Sequence, residues 1–403
     1  MKVLQINAVY GIGSTGRMTK ELHEYMLQNG IDSYVACSNG INPYDIQEIR
    51  IGNSKDVKIH ALMARITGFQ GYYSKKATAD LIEKIKKINP DIVHLGNLHS
   101  NYINVKTLLK YLGNHNIATV IVLHDCWFYT GKCSHYTIDQ CYRWKNKCGN
   151  CPRLKKDIPS WFFDRTTKML EDKSVYLKKI NRLGVIGVSE WICSEAKKSI
   201  LKDALKITFI HNWIDTDTFK PNYTRASEIR EQLNLKGKKI ILGVSNIWND
   251  AKGLNSFVEL SKLLRDEEKI ILIGSIEGIM LPQNVINIPP TNSVEDLVGY
   301  YTLADVFLQL SLEETFGKVV VEAMSCGTPA IVVDSTANSE LITNETGYIC
   351  ELNNIIDIKN KIDLINEDSS YEYQISCREY VKSKFGMENQ IEKYIKFYKE
   401  LLK

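Results

Sequence analysis

The sequence predicts an α/β protein made of two doubly wound, Rossmann-like parallel-sheet domains. Short apolar runs of strand length alternate with helical stretches along the chain, which is typical of a parallel sheet covered by helices on both faces. The alternation restarts in the second half, and 403 residues are enough for two domains.

The first half contains the clearest helical periodicity. Thr78–Ile88 is predicted to be a helix because Leu81, Ile82 and Ile85 recur at the spacing of one helix face. The elements predicted in this half are strands at 3–6, 33–36, 91–95 and 119–123, and helices near 19–29 and 78–88.

The second half begins after a stretch near 219–239 that contains Pro221 and polar residues and is typical of a linker, so the domain boundary is expected near 212–236. Strands are then predicted at 240–244, 270–273, 306–310 and 330–333. The expected organisation is an amino-terminal domain at 1–215 with a cysteine-rich insert at 126–151, a carboxyl-terminal domain at 216–388, and an amphipathic helix at 389–403 that crosses back to the first domain.

Charge is unevenly distributed along the chain. The net charge of +4 disfavours a nucleic-acid binder. Residues 1–215, however, carry 31 Lys and Arg against 19 Asp and Glu, whereas residues 216–403 carry 20 against 28. The basic half therefore predicts an anionic partner, either a substrate or a membrane surface.

No apolar run reaches the length of a membrane span, and the chain starts directly in a strand pattern without the apolar core of a signal peptide. We therefore expect a cytoplasmic protein, peripheral at most to the inner face of the cell membrane. Its ten cysteines are then reduced or bound to metal.

The segment Glu314–Pro329 carries the strongest functional pattern. It follows a predicted strand, and Gly317 stands where a helix should begin. A helix start with a glycine approach favours phosphate, because free N–H groups and the helix dipole attract anions. Glu314 and Glu322 flank this turn and can bind hydroxyl groups on either side of a diphosphate, which suits a nucleotide-sugar.

The same segment reads E-x-F-G…E-A-M-x-x-G-x-P, which resembles the retaining glycosyltransferases of family 4 and their E-x7-E motif. The resemblance implies the GT-B fold, with two Rossmann-like domains facing across a cleft. It also implies that Glu314 contacts the transferred sugar and Glu322 the ribose. Phe316, Gly317 and Lys318 complete the implied donor-binding turn.

Lys252-Gly253, which follows the strand at 240–244, resembles the phosphate-binding K-G of that family. The lysine would neutralise charge on the leaving diphosphate. One position departs from the family pattern, because Asn246 stands where an arginine is usual. Either another cation assists Lys252, or phosphate binding relies more on the helix start.

Gly11–Gly16 reads G-x-G-x-x-G after the first strand, which is the pattern of a dinucleotide-binding turn. The second strand ends in Cys37-Ser38-Asn39, without the acidic residue that would hold a ribose. We therefore interpret the turn as the glycine-rich first loop of GT-B enzymes, with Gly13 on the donor side and Arg17 on the acceptor side. A nicotinamide-dependent oxidoreductase is the alternative.

Histidines follow two buried strands of the first domain. His124-Asp125 resembles the family's H-D, which implies that His124 reaches the transferred sugar and belongs to the catalytic set with Lys252 and Glu314. His94 and His99 end the preceding strand and are candidates for the acceptor side.

Asp215-Thr216-Asp217 has the D-x-D pattern of a metal site in a different glycosyltransferase fold. Here it resembles an interdomain segment of family 4, so we interpret it as turn chemistry and expect no catalytic metal.

Four cysteines fall within 19 residues, and their spacing fits a tetrahedral structural zinc in a reduced compartment. Free thiols or two short disulfides are the alternatives, and Cys126 and His135 are substitute ligands. The predicted ligands are Cys133, Cys141, Cys148 and Cys151. The stretch from His124 onward resembles an insert in a subset of bacterial family 4 enzymes of capsule and exopolysaccharide synthesis.

These observations together predict a retaining glycosyltransferase of GT-B fold. It would use a UDP- or GDP-sugar, a glycan or lipid-diphosphate-linked acceptor, and no nucleic acid. Following the resemblance, no protein nucleophile is assigned, and the leaving diphosphate takes the acceptor proton. A non-enzymatic zinc-binding interaction module is a further alternative.

Overall fold

A computed structural model describes residues 1–42, 44–291, 293–367 and 370–403 of the chain. The chain forms two compact units, of which the first comprises Met1–Ile210 with Ile391–Lys403 and the second comprises His211–Gln390. The division after Ile210 lies five residues before the expected boundary after residue 215.

The first unit is built on a seven-stranded parallel sheet with the order β3-β2-β1-β4-β5-β6-β7. The strands are β1 (Lys2–Val9), β2 (Asp32–Asn39), β3 (Glu48–Arg50), β4 (Ile92–Leu95), β5 (Ala118–Leu123), β6 (Leu183–Gly187) and β7 (Lys206–Phe209). The helices are α1 (Gly13–Gln28), α2 (Ser54–Thr67), α3 (Lys75–Ile88), α4 (Val105–Asn114), α5 (Thr166–Leu177) and α6 (Glu190–Lys197). The central strands β4 and β5 are buried along their whole length, as expected for a sheet covered on both faces.

The second unit has a six-stranded parallel sheet with the order β10-β9-β8-β11-β12-β13. Its strands are β8 (Lys239–Ile247), β9 (Glu268–Ser275), β10 (Val285–Ile288), β11 (Val306–Gln309), β12 (Ala330–Val333) and β13 (Gly347–Cys350). Its helices are α7 (Tyr223–Gln232), α8 (Leu254–Ser261), α9 (Val294–Leu303), α10 (Lys318–Ser325), α11 (Ile355–Glu367) and α12 (Ser370–Phe385). Phe257 is fully buried in the apolar core between α8 and the sheet.

The last helix, α13 (Met387–Leu402), begins in the second unit and belongs to the first from Ile391 onward. Its apolar stripe contains Ile391, Tyr394 and Tyr398, which are buried. Gly184 of β6 has no side chain where α13 approaches, because an added Cβ would lie 2.6 Å from a ring carbon of Phe397. No helix within the described ranges combines the length and the apolar composition needed to cross a bilayer.

Candidate functional site

The loop after β11 leads directly into α10 through Gly317. This glycine has φ 92°, and an added Cβ would lie 3.1 Å from Leu341. The backbone N–H of Val320 donates a hydrogen bond to the Gly317 carbonyl, so the N–H groups of Lys318 and Val319 are the first two of the helix. A helix start of this form attracts anions.

Phe316 is buried directly before this turn, and its ring packs 5.7 Å from that of Phe385 and 5.8 Å from that of His211. Burial of this ring stabilises the position of the helix start. The predicted donor residue Phe316 therefore anchors the turn from inside, while Lys318, the first residue of α10, remains half-buried.

The loop after β8 lies beside the loop after β11, because β8 and β11 are neighbours in the sheet. Asn249 accepts a hydrogen bond from the Lys252 N–H, and the Leu312 N–H donates to the Ala251 carbonyl at 2.9 Å. Gly253 has φ 79°, and an added Cβ would lie 2.4 Å from the Leu310 carbonyl oxygen. Only glycine fits there, and this close approach brings the two loops together.

Lys252 and Glu314 meet where these loops touch. The Lys252 ammonium donates to Glu314 Oε1 at 2.5 Å, and the Gln309 amide donates to the same oxygen at 3.3 Å. The Glu314 backbone N–H donates to the Thr336 hydroxyl at 2.8 Å, which fixes the carboxylate-bearing residue from behind. The structure thus places a cation, a carboxylate and a helix start at one edge of the sheet.

Glu322 lies within α10 and is buried, and its Oε2 accepts a hydrogen bond from the Tyr301 hydroxyl at 2.9 Å. Tyr301 belongs to α9 and is itself fully buried. The predicted ribose-binding carboxylate is therefore held by a neighbouring helix. Asn246, in contrast, is exposed in the irregular end of β8, where the register with β9 shifts.

Three residues that hold this site were not predicted from the sequence, namely Gln309, Thr336 and Tyr301. Each is an ordinary polar residue at a strand end, in a loop or on a helix. Since none belongs to a motif, only the tertiary contacts reveal them.

In the first unit, the glycine-rich loop joins β1 to α1. The Gly11 N–H donates to the Gly16 carbonyl at 2.8 Å, and an added Cβ on Gly16 would lie 3.0 Å from Val9. Gly13 opens α1 with φ 62° and has open space where a side chain would stand. Gly13 is thus exposed at the carboxyl end of β1, and Arg17 is half-buried on the following turn.

His99 and Asp125 come together at the carboxyl ends of β4 and β5, which are adjacent strands. His99 Nε2 lies 2.8 Å from Asp125 Oδ2. Burial raises the pKa of Asp125, but the interactions with His99 and with the Trp127 N–H lower it by a larger amount. The pKa of Asp125 is therefore below its ordinary value. His124 lies next to this pair and is half-buried. Two of the predicted histidines, His99 and His124, thus lie at one end of the sheet.

His94 does not join them, and its assignment to the acceptor side stays a prediction. Its Nδ1 lies 2.6 Å from the Tyr398 hydroxyl, and its ring stacks on that of Tyr394. Burial lowers the pKa of His94 to about 3, and His124 adds to this effect. His94 is therefore a neutral residue that fastens α13 to the sheet.

A buried lysine that was not predicted lies beside the insert. The Lys173 ammonium lies 3.5 Å from the centre of the Trp127 ring and donates to the carbonyls of Trp127 and Thr130. Burial lowers its pKa to about 7. This lysine of α5 therefore fixes the start of the insert beside Asp125.

The four predicted zinc ligands line one small pocket together with Lys132 and Trp144. Cys133 and Cys151 interact through a sulfur hydrogen bond, which lowers the pKa of Cys151 to about 7. Over the described parts of the chain, no three His, Cys, Asp or Glu side chains are arranged to hold a metal ion. The zinc site stays a prediction, and the pocket shows where its ligands lie.

The D-x-D segment forms a turn, as expected. Asp215 accepts hydrogen bonds from the backbone N–H groups of Asp217 and Thr218 and from the Thr218 hydroxyl. Its oxygens are thus engaged within the turn.

Comparisons with known proteins give a consistent result. Residues 15–218 match the family model "Glycosyltransferase Family 4", and residues 225–384 match "Glycosyl transferases group 1". The chain is 24% identical over 363 residues to the WcaC glycosyl transferase of Escherichia coli K12, named for colanic acid biosynthesis, covering 86% of each protein. It is 27% identical over 238 residues to the capsular polysaccharide biosynthesis glycosyltransferase CapM of Staphylococcus aureus, covering 54% of this chain and 62% of that protein.

Solved structures resemble the whole chain. A glycosyltransferase from Rickettsia africae has a TM-score of 0.71 and 21% identity, covering 100% of this chain and 98% of that one. Anabaena HepE, solved in complex with UDP-glucose, has a TM-score of 0.64 and 15% identity, covering 99% and 100%. The predicted GT-B fold class is confirmed, and these matches favour a glycosyltransferase over the oxidoreductase and the zinc module.

Proposed function

The chain belongs to glycosyltransferase family 4, and on that premise we propose that it is a retaining enzyme which takes its sugar from a nucleotide-diphosphate sugar. The observation that carries the proposal is the contact between Lys252 and Glu314 beside the start of α10. A cation and free helix N–H groups bind a diphosphate, and the adjacent carboxylate accepts hydrogen bonds from sugar hydroxyls.

Each donor-side residue has a role in this proposal. The diphosphate binds to the N–H groups of Lys318 and Val319 and to the Lys252 ammonium. Glu314 binds hydroxyls of the transferred sugar, and Glu322, oriented by Tyr301, binds the ribose. The complex of HepE with UDP-glucose supports a UDP-sugar as the first donor to test.

The proposed reaction replaces one bond at the anomeric carbon by another on the same face of the sugar. The bond from the anomeric carbon to the diphosphate oxygen breaks, and a bond to the acceptor oxygen forms. The acceptor proton passes to the leaving diphosphate oxygen. Lys252 and the helix start stabilise the charge that develops on the diphosphate, and we assign His124 to the transferred sugar.

The acceptor is proposed to be a glycan or a lipid-diphosphate-linked sugar of cell-surface polysaccharide synthesis. Relatives named for colanic acid and capsular polysaccharide biosynthesis support this class. The first unit carries 35 Lys and Arg against 20 Asp and Glu, so its field attracts an anionic acceptor.

The test is a screen for hydrolysis of UDP- and GDP-sugars by the purified protein, followed by measurement of the anomer released or transferred. We expect one nucleotide-sugar to be turned over with retention of configuration. Lys252→Ala should lose at least about 100-fold in turnover, the range for removal of a charge-stabilising group.

Lys262→Ala is the matched control, because Lys262 forms an exposed ion pair with Glu259 at 2.6 Å in the same unit. It should keep full turnover. Inverted product, or a Lys252→Ala variant as active as the control, would overturn the proposal.

A further inference from the structure

An exposed apolar surface in the first unit is formed by two segments that touch. The loop Ile158–Arg165 presents Trp161, Phe162 and Phe163, which are 45%, 68% and 48% exposed. Helix α2 presents Ile59 and Leu62, which are 61% and 47% exposed. We call these five residues the aromatic patch.

The loop is held firmly against the end of α2. The Trp161 N–H donates to the Arg65 carbonyl at 2.7 Å, and the Gln70 amide donates to the Ile158 carbonyl at 3.0 Å. An added Cβ on Gly68 would lie 2.2 Å from the Phe163 carbonyl oxygen. The exposure of the aromatic rings is therefore a property of a fixed loop that lies beside α2.

Cations surround the patch. Lys55 and Lys58 are exposed on α2, and Lys155 is exposed on the loop side, where its ammonium donates to the Trp161 carbonyl. The Arg165 guanidinium lies 5.1 Å from the centre of the Phe163 ring. The positive side chains thus stand at the border of the apolar surface.

The neighbouring acidic residues are engaged by other residues of the chain, although Asp157 and Asp164 are exposed. Asp157 pairs with Arg153 at 3.1 Å, and Asp164 accepts hydrogen bonds from the N–H groups of Cys151 and Thr166. Asp56 accepts a hydrogen bond from the Asn53 N–H in the cap of α2. The surface around the patch therefore presents mainly positive charge, within a unit whose basic residues exceed its acidic ones by 15.

We infer that the aromatic patch docks the enzyme on an anionic phospholipid bilayer. Aromatic rings insert at the boundary between headgroups and acyl chains, and lysines beside them bind anionic headgroups. The charge at the border is complementary to a bilayer of this kind. The inference concerns the surface of the first unit alone and does not depend on the proposed donor chemistry.

The test is co-sedimentation of the full chain with phosphatidylcholine vesicles that contain phosphatidylglycerol, and with vesicles of phosphatidylcholine only. We expect binding to the anionic vesicles that weakens as salt is raised. The double variant W161S/F162S should bind the anionic vesicles at least about tenfold more weakly than the unaltered protein, because two aromatic rings no longer enter the interface.

Leu205→Ser is the matched control, since Leu205 is 64% exposed in the same unit just before β7. It should bind as the unaltered protein does. Trp161 supplies a direct probe, because it is the exposed one of the six tryptophans, all of which lie in the described ranges. Its emission should shift to the blue on anionic vesicles, and Trp161→Phe should remove the shift.

Equal vesicle binding by W161S/F162S and the control would overturn the inference. Equal binding to anionic and neutral vesicles would also overturn it. A dimer in sedimentation velocity that the W161S/F162S substitutions dissociate would overturn it as well, because a second copy would then cover the patch. Donor hydrolysis in solution is measured in parallel, so that a failure of vesicle binding and a failure of the proposed chemistry are told apart.

Discussion

The Lys252 ammonium lies 2.5 Å from Glu314 Oε1, although the two residues are 62 positions apart in the chain. Their side chains are 35% and 17% exposed, and ion pairs of this exposure contribute at most about 1 kcal/mol to stability. The pair therefore has little value as a structural bond. Its value lies in holding a cation and a carboxylate beside a helix start.

Replacement of Glu314 by Gln should separate catalysis from stability. The amide keeps the shape but loses the charge, so we expect turnover of the best donor to fall by about 100-fold or more. The melting temperature should change little, because the lost ion pair is partly exposed. Glu259→Gln, which removes the partner of Lys262, is the control and should leave turnover unchanged.

The close approach of Gly253 to the Leu310 carbonyl predicts a strong effect of Gly253→Ala. The added methyl would lie 2.4 Å from that oxygen, so the two loops must separate and Lys252 must move. We expect a loss of about 2 kcal/mol or more in unfolding free energy together with reduced turnover.

Gly237→Ala is the matched control for this change. Gly237 has φ 71°, close to the 79° of Gly253, but nothing lies within 4 Å of an added Cβ. It should cost about 1 kcal/mol from backbone strain alone and leave turnover intact. Equal effects of the two substitutions in denaturant unfolding would contradict the role of the loop contact.

Tyr301→Phe tests whether Glu322 is a positioned ligand of the donor. The variant removes the hydroxyl that donates to Glu322 Oε2 and leaves the ring in the core. We expect KM for the donor to rise and unfolding free energy to fall by about 1 kcal/mol. Tyr300→Phe changes the half-buried neighbour and should leave KM unchanged. A loss of stability with an unchanged KM would show a purely structural role.

Buried neutral histidines predict a pH dependence of stability. Burial lowers the pKa of His94 to about 3 and that of His23 and His60 to about 4, below the ordinary 6.5. The unfolded chain then binds more protons than the folded one between these values. Their contribution to stability is therefore complete above about pH 6.5 and is lost as pH falls toward 4.

The measurement is thermal unfolding between neutral and mildly acidic pH. His94 packs against Tyr394 and Tyr398 with His124 nearby, so His94→Gln should lower stability at neutral pH and flatten the decline on acidification. His115→Gln, at an exposed helix end, should keep the full decline. A decline that is as steep in His94→Gln as in the unaltered protein would contradict the assignment.

The cysteine pocket predicts a metal-dependent loop. We expect about one zinc per chain in elemental analysis, as a four-thiolate structural site requires. Chelation, and Cys148→Ser, should each lower the melting temperature, whereas Cys377→Ser, outside the pocket, should retain the zinc. Metal-free protein with four titratable thiols from this pocket would end the zinc hypothesis.

The sequence was sufficient to predict the elements that depend on interactions between residues close together in the chain. Gly317 predicts a helix start because glycine adopts a positive φ easily and can therefore precede the free N–H groups of a first turn. The structure has α10 beginning at Lys318. The apolar stripe of 389–403 likewise predicts a helix, which is observed as Met387–Leu402. The strand β3 was missed because three residues carry too little periodicity to be recognised.

His94 shows a contact that such reasoning could not predict. Alternation along a strand tells which residues share a face, but the partner of that face is set by the whole fold. Here the partner is Tyr398, which is 304 positions away. Tyr301 was missed for the same reason, since its bond to Glu322 depends on how α9 packs beside α10.

The position of α13 also determines when the first unit can be completed during synthesis. Residues 391–403 complete the first unit, and Tyr398 reaches back to a strand that leaves the ribosome some 300 residues earlier. During translation, the residues of the first unit that contact α13, among them His94 and Gly184, are not covered by it until the entire second unit has been synthesised. The surface that α13 later covers is therefore exposed on the nascent chain, where a chaperone would meet it.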